Sequence, residues 1–139
     1  MKVNIYLCSS IKAPSRLHSG VAGYVLQADD TNNTKTVFGI VENITKNHAD
    51  VRCLRYALAA LNEHCDTILI HTDSNYLKYN LECAFKRYTC DNLKYANEWE
   101  YIYNVLRTRK FEVILGEHNE FKNWLQSECD RRAKKHGFK

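Results

Sequence analysis

Residues 67–74 read Thr-Ile-Leu-Ile-His-Thr-Asp-Ser. A short apolar run that stops at an acid and a hydroxyl predicts a buried central strand over Thr67–His71, followed at once by a helix. Such strands lie inside sheets that carry helices on both faces. Asp73 then stands just past the carboxyl end of the strand, where chemistry gathers in open sheets. Asp73 or Ser74 is also a good helix N-cap, so a helix is expected over Ser74–Ala84.

Upstream, Asn47 to about Glu63 carries the clearest helical signal. Val51, Leu54, Leu58 and Leu61 recur at helical spacing, with Ala57 on the same face. Asp50 falls in the first turn, a place the helix dipole favours for an acid. Val21–Gln27 and Thr36–Glu42 are β-rich runs, and Asp29–Thr34 between them predicts a hairpin turn. Val3–Cys8 alternates as a strand, and Ser9–Ser19, with the only Pro, is expected to be a loop. Downstream, Phe85–Asn92 reads as irregular. Asn97–Arg109 is a third helix with Trp99, Ile102, Tyr103 and Leu106 on one face. Phe111–Leu115 is a fifth strand, Glu117–Trp124 a loop and Leu125–Lys135 a terminal helix holding Asp130.

The order β-β-β-α-β-α-α-β-α implies a mixed α/β fold. Its sheet has five strands, three antiparallel and then two parallel, with helices on both faces. At 139 residues, one domain over 1–139 is expected. With 45% hydrophobic and 26% charged residues, the chain is neither disordered nor low in complexity. No apolar run approaches the roughly 20 residues of a membrane span, and the first residues read as a strand rather than a leader. A soluble, intracellular (cytoplasmic) monomer without membrane partners is expected. The six cysteines form no CxxC pair and no zinc-like spacing, so reduced, mostly buried thiols are expected. Residues 1–106 balance eleven Lys/Arg against eleven Asp/Glu, whereas residues 107–139 hold nine against five. The basic end favours polyanionic partners, although a solvated helix face would look the same.

Four segments together resemble the ribonuclease H type 1 family. Thr45-Lys-Asn-His-Ala-Asp50-Val-Arg-Cys-Leu-Arg-Tyr-Ala-Leu58 is similar to its T-N-N-x-A-E-x-x-A-L-x-x-A-L helix. Thr72-Asp73-Ser74-Asn75-Tyr76 resembles its D-S-x-Y strand end. Ser127–Ala133 resembles its closing N-x-x-A-D-x-L-A helix, and Val3–Ser10 its opening I-Y-T-D-G-S strand. The likeness spans nearly the whole chain and implies a ribonuclease H-like fold. It also implies cleavage of the RNA strand of RNA–DNA hybrids by two divalent ions, Mg²⁺ or Mn²⁺, held by four carboxylates. Carried over residue by residue, Asp73 and Asp130 match two ligands. Asp50 stands where the family has Glu, and His118 is the best match for a loop His that assists product release. Asn47 matches a contact to the RNA strand. The fourth ligand, an Asp on the first strand, is Cys8 here.

That departure bears on activity. A thiol is a soft, poor ligand for Mg²⁺, and Asp50 is one methylene shorter than Glu. Ser9 and Ser10 cannot restore the charge. Lys86, Arg87 and Tyr88 lie where family members grip the DNA strand, with Lys94 and Tyr95 close behind. Lys12 and Arg16, with His18, make a second candidate patch for nucleic acid, because cations neutralise phosphates and aromatic rings stack. Three functions stay open. One is a metal-dependent nuclease (hydrolase) with a weakened or altered site, acting on RNA–DNA hybrid. The second is an inactive module, a pseudoenzyme, that binds hybrid, double-stranded RNA or DNA. The third is a protein-interaction domain on the same fold.

Overall fold

The structure is a computed structural model that describes residues 2–12, 16–29, 33–61, 65–83, 95–116 and 119–138. Its strands are β1 (Lys2–Ser9), β2 (His18–Ala28), β3 (Thr34–Ile44), β4 (Thr67–Thr72) and β5 (Lys110–Leu115). Its helices are α1 (Lys46–Ala59), α2 (Asn75–Cys83), α3 (Ala96–Leu106) and α4 (Lys122–Lys135). The sheet order is β3-β2-β1-β4-β5. β1–β2 and β2–β3 pair antiparallel, while β1–β4 and β4–β5 pair parallel. The mixed sheet and the element order expected from the sequence are both present.

Strand alternation sorts the side chains onto two faces. Ile5, Tyr24, Leu26, Ile68 and Ile70 join Leu54, Ile102 and Trp99 in the main core under α1 and α3. On the opposite face, Tyr6, Val21 and Val25 pack against Leu125, Cys129 and Ala133 of α4. In β4 only alternate residues are buried, and Leu69 and His71 on the second face are half-buried. The expectation of a strand buried on both faces is therefore corrected, because α4 lies over β1 and β2.

Element ends differ from expectation where local chemistry decides them. α1 starts at Lys46, one residue early, because the Thr45 hydroxyl caps it by accepting from the His48 N–H at 3.2 Å. α1 ends at Ala59 rather than near Glu63. α2 is capped by Ser74, whose Oγ accepts from the Leu77 N–H at 3.1 Å, and not by Asp73. α3 stops at Leu106 and α4 begins at Lys122. His18 and Ser19, expected in a loop, belong to β2, which pairs along its length with β3. Residues 85–92 lie outside the described residues. No described helix is long and apolar enough to cross a membrane.

Gly23 of β2 lies beside three thiols. It pairs with Cys8, and its carbonyl accepts from the Cys53 thiol at 3.3 Å. A Cβ there would meet the Phe38 ring at 2.6 Å and Cys129 Sγ at 3.3 Å. Gly23→Ala is therefore expected to destabilise by about 1–3 kcal/mol, the usual scale of overpacking, measured by urea denaturation. Of the described thiols, Cys53, Cys65 and Cys129 are buried and Cys8 is half-buried, and all four are unbridged.

Candidate functional site

Asp50, Asp73 and Asp130 reach one edge of the sheet from three different elements. Asp50 sits in the first turns of α1 and is buried, with 6% of its surface exposed. Asp73 follows the last residue of β4 and is exposed. Asp130 lies midway along α4 and is half-buried. Cys8, near the end of β1, shares a small depression with Asp73, Lys122 and Gln126.

Burial pushes the Asp50 carboxyl above the ordinary carboxylate range. Lys46 pulls the other way, with its ammonium 2.7 Å from Oδ2, as does a hydrogen bond from the Ser74 hydroxyl. The negative charge of Asp73 adds slightly to the rise. A group whose folded pKa is raised contributes stability only below its unfolded pKa, and that contribution is lost as pH climbs through the folded value. Asp50→Asn keeps the shape without the buried charge. It is expected to raise the melting temperature at pH 7, with the gain fading as pH falls toward 4.

Each of the other two acids is also engaged. Lys122, the first residue of α4, places Nζ 3.1 Å from Asp73 Oδ1. Lys12, in the segment after β1, places Nζ 3.3 Å from Asp130 Oδ2. The remaining Asp130 oxygen accepts from Gln126 Nε2 at 3.0 Å. Gln126 also donates to the Ser9 carbonyl at 3.1 Å and accepts the Cys8 thiol at 2.9 Å. One side chain thus ties the end of β1 to Asp130.

Lys46, Lys122 and Gln126 were not among the candidates read from the sequence. For Gln126 a signal existed, since it precedes Asp130 by one helical turn on the same face. For Lys46 the i,i+4 spacing from Asp50 was also a signal, and for Lys122 only the tertiary structure brings one.

Asn47 is half-buried in the first turn of α1, and Lys12 and Arg16 are exposed after β1. Beside Asn47, His48 stacks on Tyr95 at 4.0 Å and meets Glu98 at 2.9 Å. Glu98 also accepts from Arg52 at 3.2 Å, which fixes α3 against the start of α1. Lys86, Arg87, Tyr88, Lys94 and His118 lie outside the described residues.

The donor set does not fit a pair of divalent ions. Among the described residues no three His, Cys, Asp or Glu side chains are arranged to hold a metal. The Cys8 thiol donates a hydrogen bond, and each carboxylate already carries an ammonium. Mg²⁺ asks for near-regular oxygen coordination that this set does not offer.

No protein-family model matches the chain, and no curated protein does. Solved structures do. The ribonuclease H1 of the archaeon Halobacterium salinarum superposes with a TM-score of 0.71 at 16% identity, covering 98% of this chain and 99% of that one. The N-terminal ribonuclease H domain of a Mycobacterium tuberculosis protein gives 0.72 at 14% identity, covering 98% of each chain. LC11 ribonuclease H1, solved in complex with an RNA/DNA hybrid, gives 0.66 at 17% identity over 95% of this chain and 99% of that one. The chain has the ribonuclease H-like fold.

Proposed function

We propose that this protein binds RNA–DNA hybrid, or a related duplex of RNA or DNA, through a site that holds the strand more readily than it cuts it. The observation that supports this reading is the altered acid cluster. Asp50, Asp73 and Asp130 are each paired with a lysine, and Cys8, where the resemblance implies a fourth ligand, is a hydrogen-bonded thiol. In-line hydrolysis by two metals needs carboxylates free to bridge them. Mg²⁺ or Mn²⁺ would enter only a site rebuilt to receive it. A structural neighbour with this fold was solved on RNA/DNA hybrid, which supports nucleic acid as the ligand.

The chain's own cations suit a phosphate backbone. Lys12 and Lys134 line one depression beside Asp130, and Lys134 and Lys135 are exposed at the end of α4. Arg131 and Arg132 on the same helix are committed elsewhere. The first pairs with Glu128 at 2.7 Å, and the second sits over the Phe38 ring at 4.0 Å. Lysines that contact phosphate release counterions, so affinity should fall steeply as salt rises.

Fluorescence polarisation with a labelled hybrid tests the reading. Saturable binding in low salt is expected, with hybrid preferred over duplex DNA if Asn47 reads the 2′-hydroxyls. Lys134→Glu with Lys135→Glu should weaken binding and flatten the salt dependence by about one unit of slope per lysine that touches phosphate. Stability should not change, since both side chains are exposed. No binding to hybrid, double-stranded RNA or DNA at micromolar protein would put the protein-interaction reading first.

A further inference from the structure

We propose that Lys12, Lys46 and Lys122 are built-in cations that take the place of divalent metal at this site and hold a phosphodiester backbone themselves. This rests on the nucleic-acid-binding reading above and names how that site works.

Three observations converge. The first is pairing one to one: Lys46 on Asp50 at 2.7 Å, Lys122 on Asp73 at 3.1 Å and Lys12 on Asp130 at 3.3 Å. Only the Lys46–Asp50 pair is local, one helical turn apart. The other two bring together residues distant in sequence, 49 and 118 positions apart. The fold therefore assembles three ammonium groups around three carboxylates. The charges at the cluster sum to zero with no ion added.

The second observation is saturation of the acids. Both oxygens of Asp130 are engaged, one by Gln126 and one by Lys12. Asp50 is buried and takes both Lys46 and Ser74. A divalent ion would have to displace an ammonium at Asp50 and Asp130, would meet another on Oδ1 of Asp73, and would find at position 8 a thiol already donating to Gln126. The thiol is also a soft ligand that Mg²⁺ does not favour.

The third observation is spare donor capacity. An ammonium carries three N–H donors. The carboxylate takes one from each lysine, and Lys122 sends a further long contact of 3.5 Å to the Gly116 carbonyl. Lys12 keeps 70% of its side chain exposed and Lys122 keeps 34%. Phosphate oxygens of a passing strand can accept the remaining N–H groups, which is how lysine binds phosphate as a point charge. The ligand class is the phosphodiester backbone, and the site needs no divalent ion to receive it.

The test uses the full chain and a labelled RNA–DNA hybrid, titrated by polarisation in EDTA and again with Mg²⁺ or Mn²⁺ at matched ionic strength. Equal affinity in both buffers is expected, and MnCl₂ alone should not raise the native melting temperature. Lys12→Met/Lys46→Met/Lys122→Met should bind hybrid roughly tenfold or more weakly in EDTA, as expected when phosphate contacts are removed. The same variant should gain a Mn²⁺-dependent rise in melting temperature, because its carboxylates are released to bind metal. If the triple variant does not fold, Lys122→Met alone should show both effects at smaller size, since that side chain is at the surface.

Hybrid binding by the native protein only with Mg²⁺ or Mn²⁺ would overturn the built-in cations and leave nucleic-acid binding standing. Undiminished binding by the folded variant in EDTA would do the same. Failure of the native chain to bind in either buffer would overturn both proposals.

Discussion

Cys8→Asp combined with Asp50→Glu is expected to raise hybrid hydrolysis in Mn²⁺ by at least roughly 100-fold over the native protein, the scale on which a catalytic group changes rate. Cys8 sits on β1 beside Asp73 and Gln126, so a carboxylate there would face the same depression. It would add one negative charge to a cluster that the three lysines now balance. That surplus is what favours a divalent ion over an ammonium. Glu at position 50 would extend the arm by one methylene from a helix start fixed by the Thr45 cap and by the Glu98 contacts to His48 and Arg52. Mn²⁺ should serve better than Mg²⁺, since it accepts less regular coordination and softer donors. Adding Lys122→Met should increase the rate further by removing the ammonium that competes at Asp73. Gel analysis of an end-labelled RNA strand reads the result. A double variant no faster than the native chain would show that the acids at positions 8 and 50 are not what limits cleavage.

Trp99→Ala is expected to cost about 3–5 kcal/mol of stability, the range for removing a large buried aromatic side chain. Trp99 is fully buried on α3. It stacks on Tyr103 at 5.5 Å and meets Tyr76 of α2 at 6.2 Å, so it joins two helices above the main core. For a chain of this size that is a large share of a typical total stability. Guanidinium denaturation reads it directly. Because α3 also carries Glu98, which braces His48 and Arg52 of α1, hybrid binding should weaken in the same variant even where it stays folded. A loss below about 1 kcal/mol would mean that the site around Trp99 collapses without a cavity.

The sheet was legible because its signals are local. The apolar residues of Thr67–His71, the helical spacing of Val51, Leu54, Leu58 and Leu61, and the turn at Asp29–Thr34 each reflect neighbours in the chain. Their order then leaves few topologies. The element ends were less legible, because one hydrogen bond decides each of them. Thr45 and Ser74 both cap helices, yet the sequence offered Asp73 as an equally good cap beside Ser74.

The positions of Asp50 at a helix start and Asp73 at a strand end follow from the pattern, whereas Asp130 was singled out by the resemblance. The lysines could not, apart from Lys46, whose spacing from Asp50 is helical. Lys12 read as part of a phosphate-binding patch rather than as a partner of Asp130, and Lys122 as an ordinary solvated charge. Their meaning depends on a segment after β1 and the first residue of α4 arriving at acids far away in sequence. For Gln126 the contact to Asp130 follows from helical spacing, whereas its two contacts to β1 do not. The candidate handle at Lys86, Arg87 and Tyr88, and His118, lie outside the described residues.

On this reading the native chain holds a hybrid without cutting it. A single-turnover experiment tests this most directly, with protein in excess over a hybrid labelled on its RNA strand. Occupancy is followed by polarisation, and the strand is sampled on a denaturing gel in Mg²⁺ and then in Mn²⁺. A fully bound hybrid whose RNA strand stays intact through the time course in both Mg²⁺ and Mn²⁺ is expected. Rapid appearance of short RNA products in Mg²⁺, at occupancies where polarisation reports the bound complex, would contradict it.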